Sequence, residues 1–358
     1  MKVLFCYYIP SGGTETLNRQ REKALQLVNI ESHFLYLHPG SGIKNASQSN
    51  VLVTNDDAEI QKLIQTEQFD VIVVNSDANL LKRLRDFDYK NPIIYEVQGL
   101  GTISQANRYL RLQAKTNINN YCDAILYPKT KHLQQLMKSI FPHKKQFSFH
   151  NCIDTDTFTY RKHRKHESII IGWVGRIETN KNWLECLTIT KRLLSEIPNI
   201  ELWMFIDDSL TKPAEKIKFQ TKLTQLQLQE KVKIFDNAPH AEMPNYYSLI
   251  ADSGGFLLST SIMEGFGYAV LEALSCKCPV LTTKSDGVES FVFHNSTGKY
   301  YRQGNVNEAV REAKELIFNQ SLRKTMSERG ANYVKTHFNL RQYAQHFRNM
   351  LLHVIKSL

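Results

Sequence analysis

Short apolar runs rich in valine, isoleucine and aromatic residues alternate with longer mixed segments along this chain, and the alternation occurs twice. Residues 2–9 (KVLFCYYI), 33–37, 70–75, 92–97 and 124–128 have the length and composition of strands. Between them, residues 14–28 carry Leu17, Ala24, Leu25 and Val28 at helical spacing, opposite a charged face. Residues 59–66 and 129–140 also look helical. A polar, basic stretch at 151–168 interrupts the pattern. It then resumes, with strands expected at 168–174, 201–207, 231–235, 255–259 and 278–283, and helices at 183–194, 216–229, 268–275 and 307–318. Strands separated by helices predict βα units around parallel sheets. The expectation is an α/β protein of two open-sheet domains with a cleft at the carboxyl ends of their strands. The boundaries read as 1–155, a junction at 156–167, a second domain at 168–339, and a closing helix at 340–358 that packs back on the first domain.

Composition excludes several alternatives. No run approaches the roughly 18–20 apolar residues of a membrane-spanning helix. The start, MKVLFCYYIPSGGTE, reads as a first strand, because its apolar run is short and lacks a small-residue cleavage site. The six cysteines are scattered with no CxxC pair, which favours a reduced, cytoplasmic compartment. The formal charge is +10, with eleven Lys/Arg against four Asp/Glu from Lys299 to Leu358 and a basic cluster at 161–166. Such fields attract polyanions, anionic lipids at the inner membrane face, or phosphorylated small molecules; a plain solvated basic face fits equally well.

Three segments carry chemistry. Ser11-Gly12-Gly13-Thr14-Glu15 follows the first strand and opens a helix, so backbone N–H groups could face an anion there, or the glycines could simply make a tight turn. It has neither a GxGxxG fingerprint nor a Walker lysine. In Gly175-Arg176-Ile177-Glu178, with Lys181 beyond, a guanidinium and an ammonium could neutralise a diphosphate, or lie on the surface. The third segment runs from Ser261 to Leu274. Gly265 and Gly267 bracket Phe266 before a helix, and Glu264 and Glu272 stand eight residues apart, within about 80° of one helical face. Glu272 sits among Val270, Leu271, Ala273 and Leu274, where a carboxylate needs a partner. A ligand hydroxyl would serve, and favourable charge placement near the helix start is the competing explanation.

These pieces together resemble the retaining GT-B-fold glycosyltransferases of family 4, the glycosyl transferases group 1. The similarity rests on GGTE at 12–15, NCID with Phe158, GRIETNK at 175–181, the segment 244–267, the Glu264–Glu272 pair and CPVLTTKSDGVES at 278–290. It implies two Rossmann-like parallel-sheet domains, the donor on the second and the acceptor on the first. By that resemblance Arg176 and Lys181 contact the donor diphosphate and Glu272 holds the ribose hydroxyls. Glu264 and the backbone of Gly265, Phe266 and Gly267 lie near the transferred sugar, and Gly13 approaches the phosphates. Neither a metal nor another cofactor is implied, and a UDP-sugar is the expected donor substrate. Relatives often place a histidine near the tip of a strand of the first domain; here the stretch is Tyr95 to Gly101, so Glu96, Gln98 and Gly99 become candidate sugar or acceptor contacts. Cys152 replaces the usual glycine of the junction turn, and Asp286-Gly287 replaces a Gly-Gly pair. Asp154-Thr155-Asp156 is formally a DxD motif but falls in that turn, and the cationic neighbours of His163 and His166 would repel a metal.

The expected activity is transfer of a hexose or N-acetylhexosamine to a lipid, polysaccharide or teichoic-acid-like acceptor. A transferase acting on nucleic acid or protein, and an inactive nucleotide-sugar-binding protein, are the alternatives. Retention of Arg176, Lys181 and Glu272 argues against the inactive protein.

Overall fold

The computed structural model describes residues 1–45 and 50–356, so the last two residues of the expected closing helix lie outside the described residues. The chain forms two compact units, Met1–Asp154 with Phe338–Leu358, and Thr155–His337.

In the first unit the strands are β1 (Lys2–Tyr7), β2 (Glu31–Tyr36), β3 (Val51–Val53), β4 (Val71–Asn75), β5 (Ile93–Glu96), β6 (Ala124–Tyr127) and β7 (Lys145–Ser148). They pair in parallel in the order β3-β2-β1-β4-β5-β6-β7. Every residue of β4 and β5 is buried, as the continuous apolar runs of a sheet covered on both faces require. The second unit contains β8 (Ile169–Val174), β9 (Ile200–Ile206), β10 (Val232–Asp236), β11 (Phe256–Ser259), β12 (Val280–Thr283) and β13 (Lys299–Tyr301). These are also parallel, in the order β10-β9-β8-β11-β12-β13. The expected α/β architecture of two parallel-sheet domains is therefore present. In each sheet the strand order reverses beside the unit's first strand, between β1 and β4 and between β8 and β11, and such switch points are where open α/β sheets bind ligands.

Three strands escaped the sequence reading: β3, β7 and β13. All are edges, three or four residues long. An edge strand needs fewer apolar side chains because one side faces solvent or a loop, so its sequence signal fades. The helices Ala78–Asp86, Met243–Asp252 and Gln320–His337 were also unforeseen.

Residues 156–167, read as a separate junction, run along the second unit. The Tyr160 hydroxyl and the His163 N–H donate to the two oxygens of Asp252, both at 2.7 Å, and the Arg161 N–H donates to Ser248 Oγ at 3.0 Å. The Leu340–Ile355 helix belongs to the first unit. Phe347 packs on Phe5 at 5.7 Å and on Phe149 at 6.2 Å, and its start is capped by Asn339, which accepts from the Gln342 N–H.

Candidate active site

The sequence-selected residues of the second unit gather at the carboxyl ends of β8, β11 and β12. After β8 the chain turns through Thr179–Lys181, and the left-handed residue Asn182 (φ 51°) precedes the Trp183–Leu194 helix. This turn is tied to the loop after β11. The Ile262 N–H donates to the Asn180 carbonyl at 2.8 Å, and Asn180 Nδ2 to the Met263 carbonyl at 3.0 Å. Thr260 Oγ1 donates to the Lys181 carbonyl at 2.8 Å and accepts from Trp173 Nε1 at 3.0 Å. Backbone pairing thus fixes where Lys181 and Glu264 stand before any ion pair is counted. Lys181 Nζ lies 2.5 Å from Glu264 Oε1, which also accepts from Ser261 Oγ at 2.6 Å. Arg176 is exposed, and its pairing with Glu178 is longer, at 3.2 Å.

The β12 loop closes on the same place. The Gly287 N–H donates to the Glu264 carbonyl at 3.1 Å. A Cβ on Gly287 would fall 2.6 Å from the Glu264 carbonyl oxygen and 2.7 Å from the Phe266 nitrogen, so only glycine fits between these backbones. Gly267 takes φ 89° and turns the chain into the Tyr268–Ser275 helix. Phe266 is buried, edge-on to Tyr268 at 5.0 Å and to Phe291 at 5.6 Å.

Glu272 is 4% exposed, and both its oxygens have protein partners: His240 Nε2 at 2.8 Å and the Tyr247 hydroxyl at 3.0 Å. The cost of burying this carboxylate, which pointed to a ligand from sequence alone, is thus met inside the fold. Burial and then the Glu272 charge push the Tyr247 phenol well above its ordinary range, so it stays protonated and donates. Neither His240 nor Tyr247 was singled out from sequence. Tyr247 lies within the quoted 244–267 segment, but only the fold turns it toward Glu272.

In the first unit Gly13 is exposed in the first turn of the Gly12–Gln26 helix, whose N-cap Ser11 makes no side-chain capping bond. Glu96 is fully buried and bidentate with Arg21, at 2.9 and 2.5 Å, and it also accepts from Asn75 Nδ2 at 3.2 Å and Gln98 Nε2 at 2.8 Å. A carboxylate so enclosed orients its neighbours, Gln98 among them. Gln98 is partly exposed, bonded to Glu96 and to Asn151, and Gly99 is exposed. Asp154 of the formal DxD pairs with Lys23 at 2.7 Å. Among the described residues no group of three or more His, Cys, Asp or Glu is placed to hold a metal ion, and no helix is long and apolar enough to cross a membrane.

A family model described as glycosyl transferases group 1 matches residues 155–333. A glycosyltransferase of Methanocaldococcus jannaschii, itself uncharacterized, is 35% identical over 80 residues, 22% of this chain and 23% of its own. The poly(glycerol-phosphate) alpha-glucosyltransferase of Bacillus subtilis is 29% identical over 165 residues, 46% of this chain and 22% of its own. The chain therefore spans under a quarter of the length of these curated relatives. Anabaena HepE, solved in complex with UDP and glucose, superposes with a TM-score of 0.83 at 16% identity over all of both chains. That likeness shows the fold, the two-Rossmann-unit architecture called GT-B.

Proposed function

The chain belongs to the glycosyl transferases group 1 family, and on that premise we propose that it moves a hexose or N-acetylhexosamine from a UDP-sugar to a cell-envelope acceptor with retention of anomeric configuration. The observation that carries this reading is the convergence of Arg176, Lys181, Glu264 and the Gly265–Gly267 backbone at the β8/β11 switch point of the second unit. Departure of a nucleoside diphosphate concentrates negative charge, and preorganised cations and N–H groups lower the barrier by meeting that charge where it develops. Lys181 is held in place by its own carbonyl and by Glu264. Arg176, exposed and weakly paired, can turn to a phosphate. Glu264 presents a carboxylate near the sugar, and Glu272 is the proposed ribose contact, oriented by His240 and Tyr247. On the first unit, Gly13, Gln98 and Gly99 are the groups proposed to face substrate.

The UDP and glucose bound in the HepE structure support the donor class. The poly(glycerol-phosphate) acceptor in the name of the Bacillus relative supports a polymeric envelope acceptor. A thermal-shift screen of UDP-, GDP- and ADP-sugars tests the reading, followed by donor turnover with acceptor extracts. One UDP-sugar should raise the melting point and be consumed. Tight nucleotide binding with no turnover of any donor would sink the transferase claim.

A further inference from the structure

Two hydroxyl residues stand side by side where β11 ends, and they hold different partners. Thr260 Oγ1, which donates to the Lys181 carbonyl and accepts from Trp173 Nε1, fixes main chain. Ser261 Oγ donates to Glu264 Oε1 at 2.6 Å and so fixes a side chain. Successive side chains of an extended chain point to opposite sides, which is how adjacent residues reach separate targets. Ser261 is itself anchored from the neighbouring strand: Thr283 Oγ1 at the end of β12 donates to its carbonyl at 2.5 Å. Ser261 is 3% exposed and its hydroxyl proton is committed to Glu264, so it acts on a ligand only through that glutamate.

The two oxygens of Glu264 are used unequally. Oε1 takes both protein donors, Ser261 Oγ at 2.6 Å and Lys181 Nζ at 2.5 Å. Among the described residues no hydrogen bond reaches Oε2, and the side chain is 14% exposed. An ionised carboxylate offers about four acceptor positions over its two oxygens, so Oε2 is the atom able to take a further donor. Glu272 differs, since His240 and Tyr247 occupy one oxygen each. An ammonium is a point charge with little directional preference, and Lys181 alone would let the carboxylate swing around it. The serine O–H is directional and selects one orientation.

We propose that Ser261 is a positioning residue for recognition of the donor sugar: together with Lys181 it holds Glu264 by Oε1, so that Oε2 accepts one hydroxyl of the transferred sugar. The inference rests on the reading that Glu264 stands near that sugar, and it adds how the carboxylate is aimed and what it selects. A side chain frozen before binding has no rotamer freedom to lose when the ligand arrives. A sugar without a hydroxyl opposite Oε2 leaves that acceptor unmatched and is discriminated against. UDP by itself carries no such sugar and gains nothing from the arrangement.

Calorimetric titration of the full chain with UDP, UDP-glucose and UDP-N-acetylglucosamine tests this. Ser261→Ala should weaken the better-binding UDP-sugar roughly 3–10-fold, the effect of having to immobilise one more side chain on binding, and leave UDP affinity unchanged. A serine that merely supports the loop would weaken both ligands together when removed. Glu264→Ala should also weaken the UDP-sugar and spare UDP. In that background Ser261→Ala should have no further effect, because the group it positions is gone. The proposal falls if Ser261→Ala weakens UDP as much as the UDP-sugar, or if it weakens neither. It also falls if the Ser261→Ala effect persists undiminished in the Glu264→Ala background, an outcome that makes the serine a structural support. A parent chain that binds UDP but neither UDP-sugar overturns the donor reading and this inference with it. Parent binding of a UDP-sugar with a neutral Ser261→Ala overturns this inference alone.

Discussion

Replacing Arg21 by methionine strips the counter-ion from a carboxylate with no access to water. Arg21 and Glu96 side chains are each 1% exposed and share two hydrogen bonds of 2.9 and 2.5 Å. Asn75 and Gln98 complete the shell of Glu96 but carry no charge. Breaking a pair buried this deeply costs about 3–5 kcal/mol, because the remaining charge keeps its desolvation penalty without its partner. Glu96→Gln should cost a similar amount by stranding the guanidinium. Against a typical domain stability of about 5–15 kcal/mol, either change is severe. The double variant removes both charges while the glutamine can still bond to Asn75 and Gln98, so it should recover about 2 kcal/mol or more relative to the sum of the singles. Urea unfolding followed by two probes locates the damage. Trp173, Trp183 and Trp203, the three tryptophans, all lie in the second unit, so their fluorescence reports there, whereas far-ultraviolet circular dichroism sees both units. An earlier dichroism transition with an unmoved fluorescence midpoint is expected for Arg21→Met. Single variants within about 1 kcal/mol of the parent, or strictly additive effects in the double, would refute the argument.

Lys181→Ala should lower donor turnover by about two or more orders of magnitude while the melting point moves little, since the lysine meets developing charge; unchanged steady-state kinetics would show that the charge is met elsewhere. Glu272→Ala should raise the donor KM more than it lowers kcat, and equal effects on both would remove its ribose assignment. Gly287→Ala places a Cβ 2.6 Å from the Glu264 carbonyl oxygen and forces the two backbones apart; it should cost about 1–3 kcal/mol in denaturant melts and depress turnover. The Glu312 carboxyl gives a pH prediction. Burial pushes it up, but hydrogen bonds from Lys299 and Arg311 outweigh that and hold it below its ordinary 4.5. The unfolded chain then binds this proton more readily, so the stabilisation is complete above 4.5 and is lost as pH falls through the folded value. Glu312→Gln should flatten the melting-point profile between about pH 3 and 5, and an unaltered slope there would contradict the assignment.

Nine interior strands and the edge strand β10 were legible because each is a run of β-branched and aromatic residues long enough to stand out, as in IIIGWV of β8 and VIVVN of β4. The loops bearing Arg176, Lys181 and Glu264 could be found because glycines mark places where backbones approach. The partners of Glu272 could not. His240 and Tyr247 lie 32 and 25 residues away, and nothing local in PHAEMPNYY marks them as facing a carboxylate. The partner of Glu96 was hidden for the same reason: Arg21 stands 75 residues earlier in the chain.

Charge illustrates the division most clearly. Counting along the chain places the excess in the last sixty residues. Folding sends part of it inward, as Lys299 and Arg323, and carries the rest on the Leu340–Ile355 helix to the first unit, where Phe347 packs on Phe5. Sequence by itself determined the βα alternation, the two parallel sheets and the glycine-marked loops, because hydrophobic periodicity and backbone sterics act over a few residues. Tertiary structure alone decided which charges are paired, which are buried and which share a face, because Coulomb and desolvation energies depend on distance and solvent exposure in space.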